Sequence, residues 1–284
     1  MRCLVLGGTG MLGRAVVAEA RSRGWAALGT SREQGDVTDR ERLAFWSDSF
    51  RPEVVINCAA YTRVDNCESD PDRAFRVNGE AVAHVATAAG RSGARLVHVS
   101  TDYVFDGEAD EPYGEDAPTA PLSVYGRSKL EGERHALACE KGLVVRTSWL
   151  FGPGGPNFVA TMVRLIEEGK LPLRVVDDQR GCPTYTRFLA GALLDLALRG
   201  TTGVVHYRNR EPASWYDFAS AIARQWSGTA EVVPVKTAEF PRPARRPAWS
   251  VLAVDRFEEI VGRPVEPWEQ GLAEFLMRMR KEGR

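Results

Sequence analysis

The sequence has no surplus of either charge: 37 lysines and arginines stand against 38 aspartates and glutamates, a formal net charge of -1. Such a chain sets up no overall field to gather a polyanion or an acidic bilayer, so neither nucleic acid nor a membrane is an expected partner. No run approaches the roughly 18 to 20 apolar residues of a spanning helix. The first residues enter a strand pattern without a cleavable leader, so a cytoplasmic location is expected. Cysteine is scarce: Cys3, Cys58, Cys67, Cys139 and Cys182 are odd in number, far apart and without a Cys-x-x-C pair. With no histidine spaced to join them on zinc, they read as reduced packing thiols. Internal repeats and low-complexity tracts are also missing. What remains, 44% hydrophobic and 26% charged over 284 residues, is globular composition at a length between one large domain and two modest ones.

Short apolar runs alternate with helical stretches through the first half. Strands are expected at 3–8, 25–30, 53–57, 95–100 and 143–147, with helices at 11–23, 40–50, 73–91 and 125–139. Continuous apolar strands alternating with helices predict a doubly wound α/β domain, a parallel sheet covered on both faces, over residues 1–150. Beyond Ser148 prolines crowd in, and Phe240-Pro-Arg-Pro-Ala-Arg-Arg-Pro-Ala-Trp249 cannot be helical. Short helices at 157–168, 187–198, 214–225 and 267–280 predict a smaller substrate lobe over 151–284, with some segments returning to the first domain.

Leu6-Gly-Gly-Thr-Gly-Met-Leu-Gly13 places Gly7, Gly10 and Gly13 between the first strand and the first helix. Glycine there permits a tight turn and close approach of a pyrophosphate to free helix amides, which points to a dinucleotide. The second strand ends in Leu28-Gly-Thr-Ser-Arg32, without the carboxylate that would take a ribose 2′-hydroxyl. The planar fork of Arg32 suits a 2′-phosphate, which favours NADP(H) while leaving NAD(H) possible; otherwise Arg32 merely faces solvent. Asp36 is placed near the adenine, or else in the N-cap neighbourhood of the second helix.

Tyr125-Gly-Arg-Ser-Lys129 sets a phenol and an amine four residues apart on one helix face. A lysine ammonium beside the phenol, helped by the charge of an oxidised nicotinamide, is expected to favour the phenolate and lower its pKa. Ser100-Thr101 falls at the C-terminal end of a buried strand, where α/β folds place their ligands.

These features lie within longer runs: Arg51-Pro-Glu-Val-Val-Ile-Asn-Cys-Ala-Ala-Tyr-Thr62 with Val64-Asp65 and Glu68; Val99-Ser-Thr-Asp-Tyr-Val-Phe-Asp-Gly107; Ala120-Pro-Leu-Ser-Val-Tyr-Gly-Arg-Ser-Lys-Leu-Glu-Gly132; Arg146-Thr-Ser-Trp149; Asp178-Gln-Arg-Gly-Cys-Pro-Thr184; and Pro243-Ala-Arg-Arg-Pro247. With them the chain resembles the extended short-chain dehydrogenase/reductases, and among these the dTDP-4-dehydrorhamnose reductases, over nearly its whole length. The resemblance implies a Rossmann-like doubly wound parallel sheet with a smaller C-terminal α+β substrate lobe. It also implies NADPH-dependent reduction of the C4 ketone of dTDP-4-dehydro-β-L-rhamnose to dTDP-L-rhamnose. Tyr125 would supply the proton, Lys129 would bind the nicotinamide ribose, and Thr101 would hydrogen-bond the carbonyl oxygen. Cofactor contacts would fall on Gly7, Gly10, Met11, Leu12, Asp36, Val37, Ala60, Tyr61, Thr62 and Val99 besides Tyr125 and Lys129. Asp102 and Trp149 match positions touching the sugar or its nucleotide, with a turn cap and core packing as their plain alternatives. Arg245 and Arg246 either approach the diphosphate or pin a proline-stiffened loop.

The partner implied is a small nucleotide-linked sugar, and the chain would act as a monomer or homodimer. Some relatives are magnesium-dependent dimers, but the basic tail 277–284 offers only Glu282 as a hard oxygen ligand, so no metal site is expected. Two rival readings stand beside this one. Another nucleotide-linked 4-keto-6-deoxy sugar would need only a different pocket. A non-catalytic NADP-binding regulatory subunit would have no need of Thr101, Tyr125 and Lys129 together. A dehydratase is disfavoured, because Thr101 is followed by Asp102 and Tyr103 and not by an Asp-Glu pair.

Overall fold

Alternation of side chains across short apolar strands dictates the central layer. In the computed structural model, which describes residues 1–283, the elements in chain order are β1 (Arg2–Leu6), α1 (Met11–Ser22), β2 (Ala26–Thr30), α2 (Arg40–Phe50), β3 (Val54–Asn57), α3 (Val64–Ser69), α4 (Pro71–Phe75) and α5 (Ala81–Ser92). There follow β4 (Arg95–Thr101), α6 (Val124–Leu137), β5 (Gly142–Thr147), β6 (Leu150–Phe151), α7 (Phe158–Glu167), β7 (Leu173–Val176), β8 (Arg180–Gly181), β9 (Thr184–Tyr185) and α8 (Thr186–Leu198). The chain closes with β10 (Gly203–His206), β11 (Ala213–Ser214), α9 (Trp215–Trp226), β12 (Val232–Val235), α10 (Asp255–Val261) and α11 (Trp268–Lys281). Six parallel strands form the main sheet in the order β10-β5-β4-β3-β1-β2. This is the doubly wound α/β fold that the alternation predicts.

Each face of the sheet has its own core. Cys3, Val5, Val54, Ile56, Val97, Leu143 and Val145 point to the side covered by α1 and α8. Leu4, Leu6, Val55, Leu96 and Val144 point to the side covered by α2, α5 and α6, the period-two pattern of a strand buried on both faces. Chain from beyond residue 150 contributes heavily here: β10 is the sixth strand, α8 packs along α1, and Phe257 of α10 joins the same core. A separate apolar cluster, with Phe151, Phe218, Trp268 and Phe275, knits α7, α9 and α11 to the short strands β7 and β12. Among the described residues no helix is long and apolar enough to cross a membrane.

The order reverses between β1 and β3, which creates a crevice at their C-terminal ends. Tyr125 and Lys129 enter it on α6, whose start is fixed by the Ser123 hydroxyl accepting from Gly126 N at 3.1 Å. The Val124 amide is held by Glu68 Oε1 at 2.8 Å. A methyl at Gly126 would overlap the Tyr103 carbonyl, and one at Gly132 the Asn78 carbonyl. Glycine therefore lets α6 sit close on its neighbours.

Beneath the crevice α6 is locked to the sheet by a buried ion pair. Arg146 of β5 donates to Glu133 through Nε at 2.9 Å and Nη2 at 2.7 Å, and Ser100 Oγ donates to Glu133 Oε1 at 2.6 Å. Removing one partner of such a pair leaves a buried charge alone. Arg146→Met should cost about 3 to 5 kcal/mol by urea denaturation, and replacing both partners with apolar residues should recover most of it. A single-variant loss below about 1 kcal/mol would show that the pair behaves as a surface one.

Candidate active site

The crevice is a cleft of about 550 Å³ whose walls include Gly7, Gly10, Met11, Leu12, Ala60, Thr62, Val99, Thr101, Asp102, Tyr125, Lys129 and Trp149. It joins a recess of about 270 Å³ lined by Arg32, Asp36, Val37 and Tyr61, with Gly7, Gly10 and Ala60 on the shared wall. Every residue expected to meet cofactor thus lies in one connected hollow. Arg245 and Arg246 line neither part. A larger hollow of about 860 Å³ between α1, α8 and α11 contains none of Thr101, Tyr125 and Lys129.

The floor is the glycine turn. Gly7 has φ +71°, and a methyl there would come within 2.9 Å of the Ala59 backbone; only glycine accepts both conditions without strain. Gly10 is the N-cap of α1 and brings no side chain to cap it, and the first turn carries no acid. The orphan amides of that turn are therefore left for an anion, which is the donor set a pyrophosphate needs. Asp36 accepts from the Thr38 amide at 2.9 Å and hydroxyl at 2.8 Å. Arg32, with its side chain 74% exposed, leans loosely on Asp36 at 3.4 Å. The N-cap of α2 is Asp39. The loop bearing Ala60, Tyr61 and Thr62 is clamped by Asn78, which takes the Tyr61 amide at 2.7 Å and donates to its carbonyl at 3.0 Å.

At the catalytic end, Thr101 Oγ1 donates to Asp102 Oδ1 at 3.0 Å and accepts from the Tyr103 amide at 3.2 Å. Tyr125 packs edge-on against Tyr103, with ring centroids 6.0 Å apart. Burial pushes its phenol above the usual tyrosine value, opposed in part by the Thr101 hydroxyl. Lys129 is not among the groups that shift the phenol in this arrangement. Lys129 Nζ is turned instead onto the Val99 carbonyl at 2.8 Å and His98 Nε2 at 3.3 Å. Burial brings Lys129 itself down to about 8. Asp102 is held up to about 7, again by burial, although the Ser250 and Thr101 hydroxyls pull the other way. Its Oδ2 is buried without a partner, and it is Thr101 that caps the short turn after β4.

The far wall comes from the second half of the chain. Trp149 adopts a left-handed backbone, φ 46°, and its indole lies flat on Trp215 with centroids 3.5 Å apart and planes 7° from parallel. A methyl at Gly181 would strike the same indole at 2.6 Å. The run 178–184 therefore serves as the seat of Trp149. Trp215 also lines the cleft; in the sequence it reads only as part of the apolar stripe of the helix expected over 214–225. Arg246 forks onto Asp65 at 3.0 and 3.1 Å and onto the Ala244 carbonyl at 2.9 Å. In this geometry its guanidinium ties the proline-stiffened loop to α3, the plainer of the two readings that the sequence leaves open. Arg245 is exposed beside it. Among the described residues, no three His, Cys, Asp or Glu converge as a metal site.

Comparison with known proteins agrees with this arrangement. A family model described as RmlD substrate binding domain matches residues 1–281. A dTDP-4-dehydrorhamnose reductase of Streptomyces griseus is 43% identical, over 96% of this chain and 92% of that protein. A dTDP-4-keto-6-deoxy-D-glucose reductase of Streptomyces niveus is 38% identical, over 96% of each. The crystal structure of a dTDP-4-dehydrorhamnose reductase from Bacillus anthracis in complex with NADP superposes with a TM-score of 0.93 at 35% identity, covering 98% of this chain and 99% of that one.

The raised carboxyl of Asp102 has a consequence for stability. An unfolded aspartate releases its proton near pH 4, whereas the native one keeps it to about pH 7. The folded state therefore loses stability as pH climbs through that window. Asp102→Asn removes the loss. The variant should match the parent near pH 4 and exceed it at pH 8 by a few kcal/mol, at about 1.4 kcal/mol per pKa unit. Parallel Tm curves across that range would show that the carboxyl ionises normally.

Proposed function

The chain belongs to the RmlD substrate binding domain family, and from that premise we propose that it reduces the C4 ketone of dTDP-4-dehydro-β-L-rhamnose to dTDP-L-rhamnose with NADPH. The observation that carries this reading is the meeting of Thr101, Tyr125 and Lys129 in one cleft with the uncapped N-terminus of α1. NADPH, when bound, supplies the hydride. The α1 amides and the glycine turn would hold its pyrophosphate, Arg32 its 2′-phosphate and Lys129 its nicotinamide ribose.

The chain's own chemistry is proton delivery and charge stabilisation. Tyr125 is a neutral phenol throughout the physiological range, because burial disfavours its phenolate. It keeps its proton until the ketone oxygen gains charge, and an alkoxide is far more basic than a phenolate, so the transfer runs downhill. Thr101 Oγ1, now spent on Asp102, turns its donor to the same oxygen. Asp102, with one oxygen unpartnered, is left to hold a sugar hydroxyl, and Trp149 backed by Trp215 offers the ring a flat apolar wall. A nucleotide-sugar reductase with free thiols at all five cysteines suits the cytosol.

The direct test is consumption of NADPH with enzymatically prepared dTDP-4-dehydro-β-L-rhamnose, with the C4 configuration of the product read by NMR. Rapid turnover to dTDP-L-rhamnose is expected, and Tyr125→Phe should lower it about a hundredfold or more while still binding cofactor. NADPH binding without turnover would move the reading to another 4-keto sugar, of the kind for which the Streptomyces niveus relative is named. Arg32→Ala should weaken NADPH binding more than NADH binding in titration calorimetry; equal losses would remove Arg32 from the 2′-phosphate.

A further inference from the structure

Behind Lys129 lies a line of buried polar groups that the proposed reaction does not use. Asn57 ends β3 and His98 stands in β4, and the two are direct register partners in adjacent parallel strands. Their side chains meet at 3.1 Å, Asn57 Nδ2 to His98 Nδ1, and the far nitrogen of the ring, Nε2, is 3.3 Å from Lys129 Nζ. Asn57, His98 and Lys129 are respectively 1%, 0% and 2% exposed, so solvent cannot relieve a mismatch of donor with donor.

The direction of the line is set at its start. The Ala59 amide approaches Asn57 at 3.1 Å, and an amide N–H only donates, so the Asn57 atom facing it is the carbonyl oxygen. The NH₂ group of Asn57 then faces the ring and donates, which makes Nδ1 the acceptor. A neutral imidazole accepting at Nδ1 carries its proton on Nε2, and that N–H points at Lys129. An ammonium has no lone pair to receive it, whereas an amine has one and can still donate to the Val99 carbonyl at 2.8 Å.

We propose that Asn57 and His98 are positioning residues that present the imidazole Nε2–H to Lys129 and so weaken its hold on the ammonium proton. The groups facing Lys129 are consistent with it. From α6 come Glu133, which favours the ammonium, and the phenol of Tyr125; from the turn after β3 comes Cys58, whose thiol is pushed up to about 12 and so stays neutral. Burial outweighs Glu133 and brings Lys129 to about 8, while His98, buried beside it, falls well below its usual value and stays uncharged. The inference rests on the proposed reductase only for the part that Lys129 plays in it; the tautomer is a property of the protein alone.

The test uses the full chain without cofactor or substrate. Long-range proton-nitrogen NMR on histidine-labelled protein, with His98 assigned through a His98→Asn variant, should find Nε2 protonated and Nδ1 bare. Protonation at Nδ1 would overturn the proposal. Asn57→Asp reverses the line, because a carboxylate accepts from both the Ala59 amide and His98 Nδ1–H and leaves Nε2 to accept from an ammonium. The Lys129 pKa, followed through its labelled Cε, should then rise by at least about one unit, a tenfold gain in proton affinity. Asn57→Leu, which frees the ring without adding charge, should raise it by less. An unchanged or lowered value in both variants would also overturn the proposal. If a variant fails to fold, the tautomer of the unaltered chain decides. An inactive reductase with the expected tautomer would sink the proposed substrate and leave this inference standing.

Discussion

The seating of α6 on β4 is the constraint on which the rest of this structure depends. Side chains on one strand face repeat every second residue and those on one helix face every fourth, so His98 and Ser100 meet Lys129 and Glu133 as two rungs. The lower rung is structural and ties helix to sheet through Arg146. The upper rung is chemical and fixes where Lys129 points. Both require a close approach, which Gly126 and Gly132 permit by withholding a methyl from the carbonyls beneath them. Tyr125, one turn before Lys129, reaches the cleft only because these rungs settle the rotation and height of the helix.

Unmet polar demand falls partly in the cleft: of six buried side-chain atoms without a partner among the described residues, those of Asp102 and Thr147 line it. Asp39, Ser123, Asn157 and Ser214 each cap a helix with a side-chain oxygen, but α1, which opens on the cleft, has no such cap. Asp102 leaves one oxygen unpartnered there. Burial also pushes the Asp102 carboxyl up and the Lys129 ammonium down, each toward its neutral form. An unmade hydrogen bond costs stability in the free protein and returns that free energy when a ligand makes it. The uncapped start of α1 and the free oxygen of Asp102 are two places in the cleft where a ligand would gain that free energy.

Much of this was legible in the sequence because it is local. Glycine spacing after a strand, an apolar run of four to six residues and a Tyr-x-x-x-Lys on one helix face each declare themselves within a dozen residues. What escaped was nonlocal. Gly203–His206 carries two valines among small and polar neighbours, and its place as sixth strand follows only from pairing with β5. The fork of Arg246 onto Asp65 joins positions 181 residues apart. Trp215 acquires its part from stacking on Trp149. The contacts of Lys129 escaped for a related reason: spacing on a helix sets which face a side chain takes, but burial and the partners across the interface decide its charge.

The division of the cleft bears on how one scaffold serves more than one sugar. Relatives named for reduction of two different dTDP-linked keto sugars align with this chain over nearly its full length, so discrimination must come from a few wall positions. An apolar face such as the Trp149 indole separates ligands weakly, because a misplaced methyl or hydroxyl against it costs only about 1 to 3 kcal/mol. A buried polar group with an unmet hydrogen bond separates them strongly, since a ligand that cannot complete the bond leaves the group desolvated and alone. In the proposed reaction the selective group is then Asp102, the one acidic side chain of the cleft wall, while the tryptophan pair holds the sugar ring at a fixed height above the proton that Tyr125 delivers.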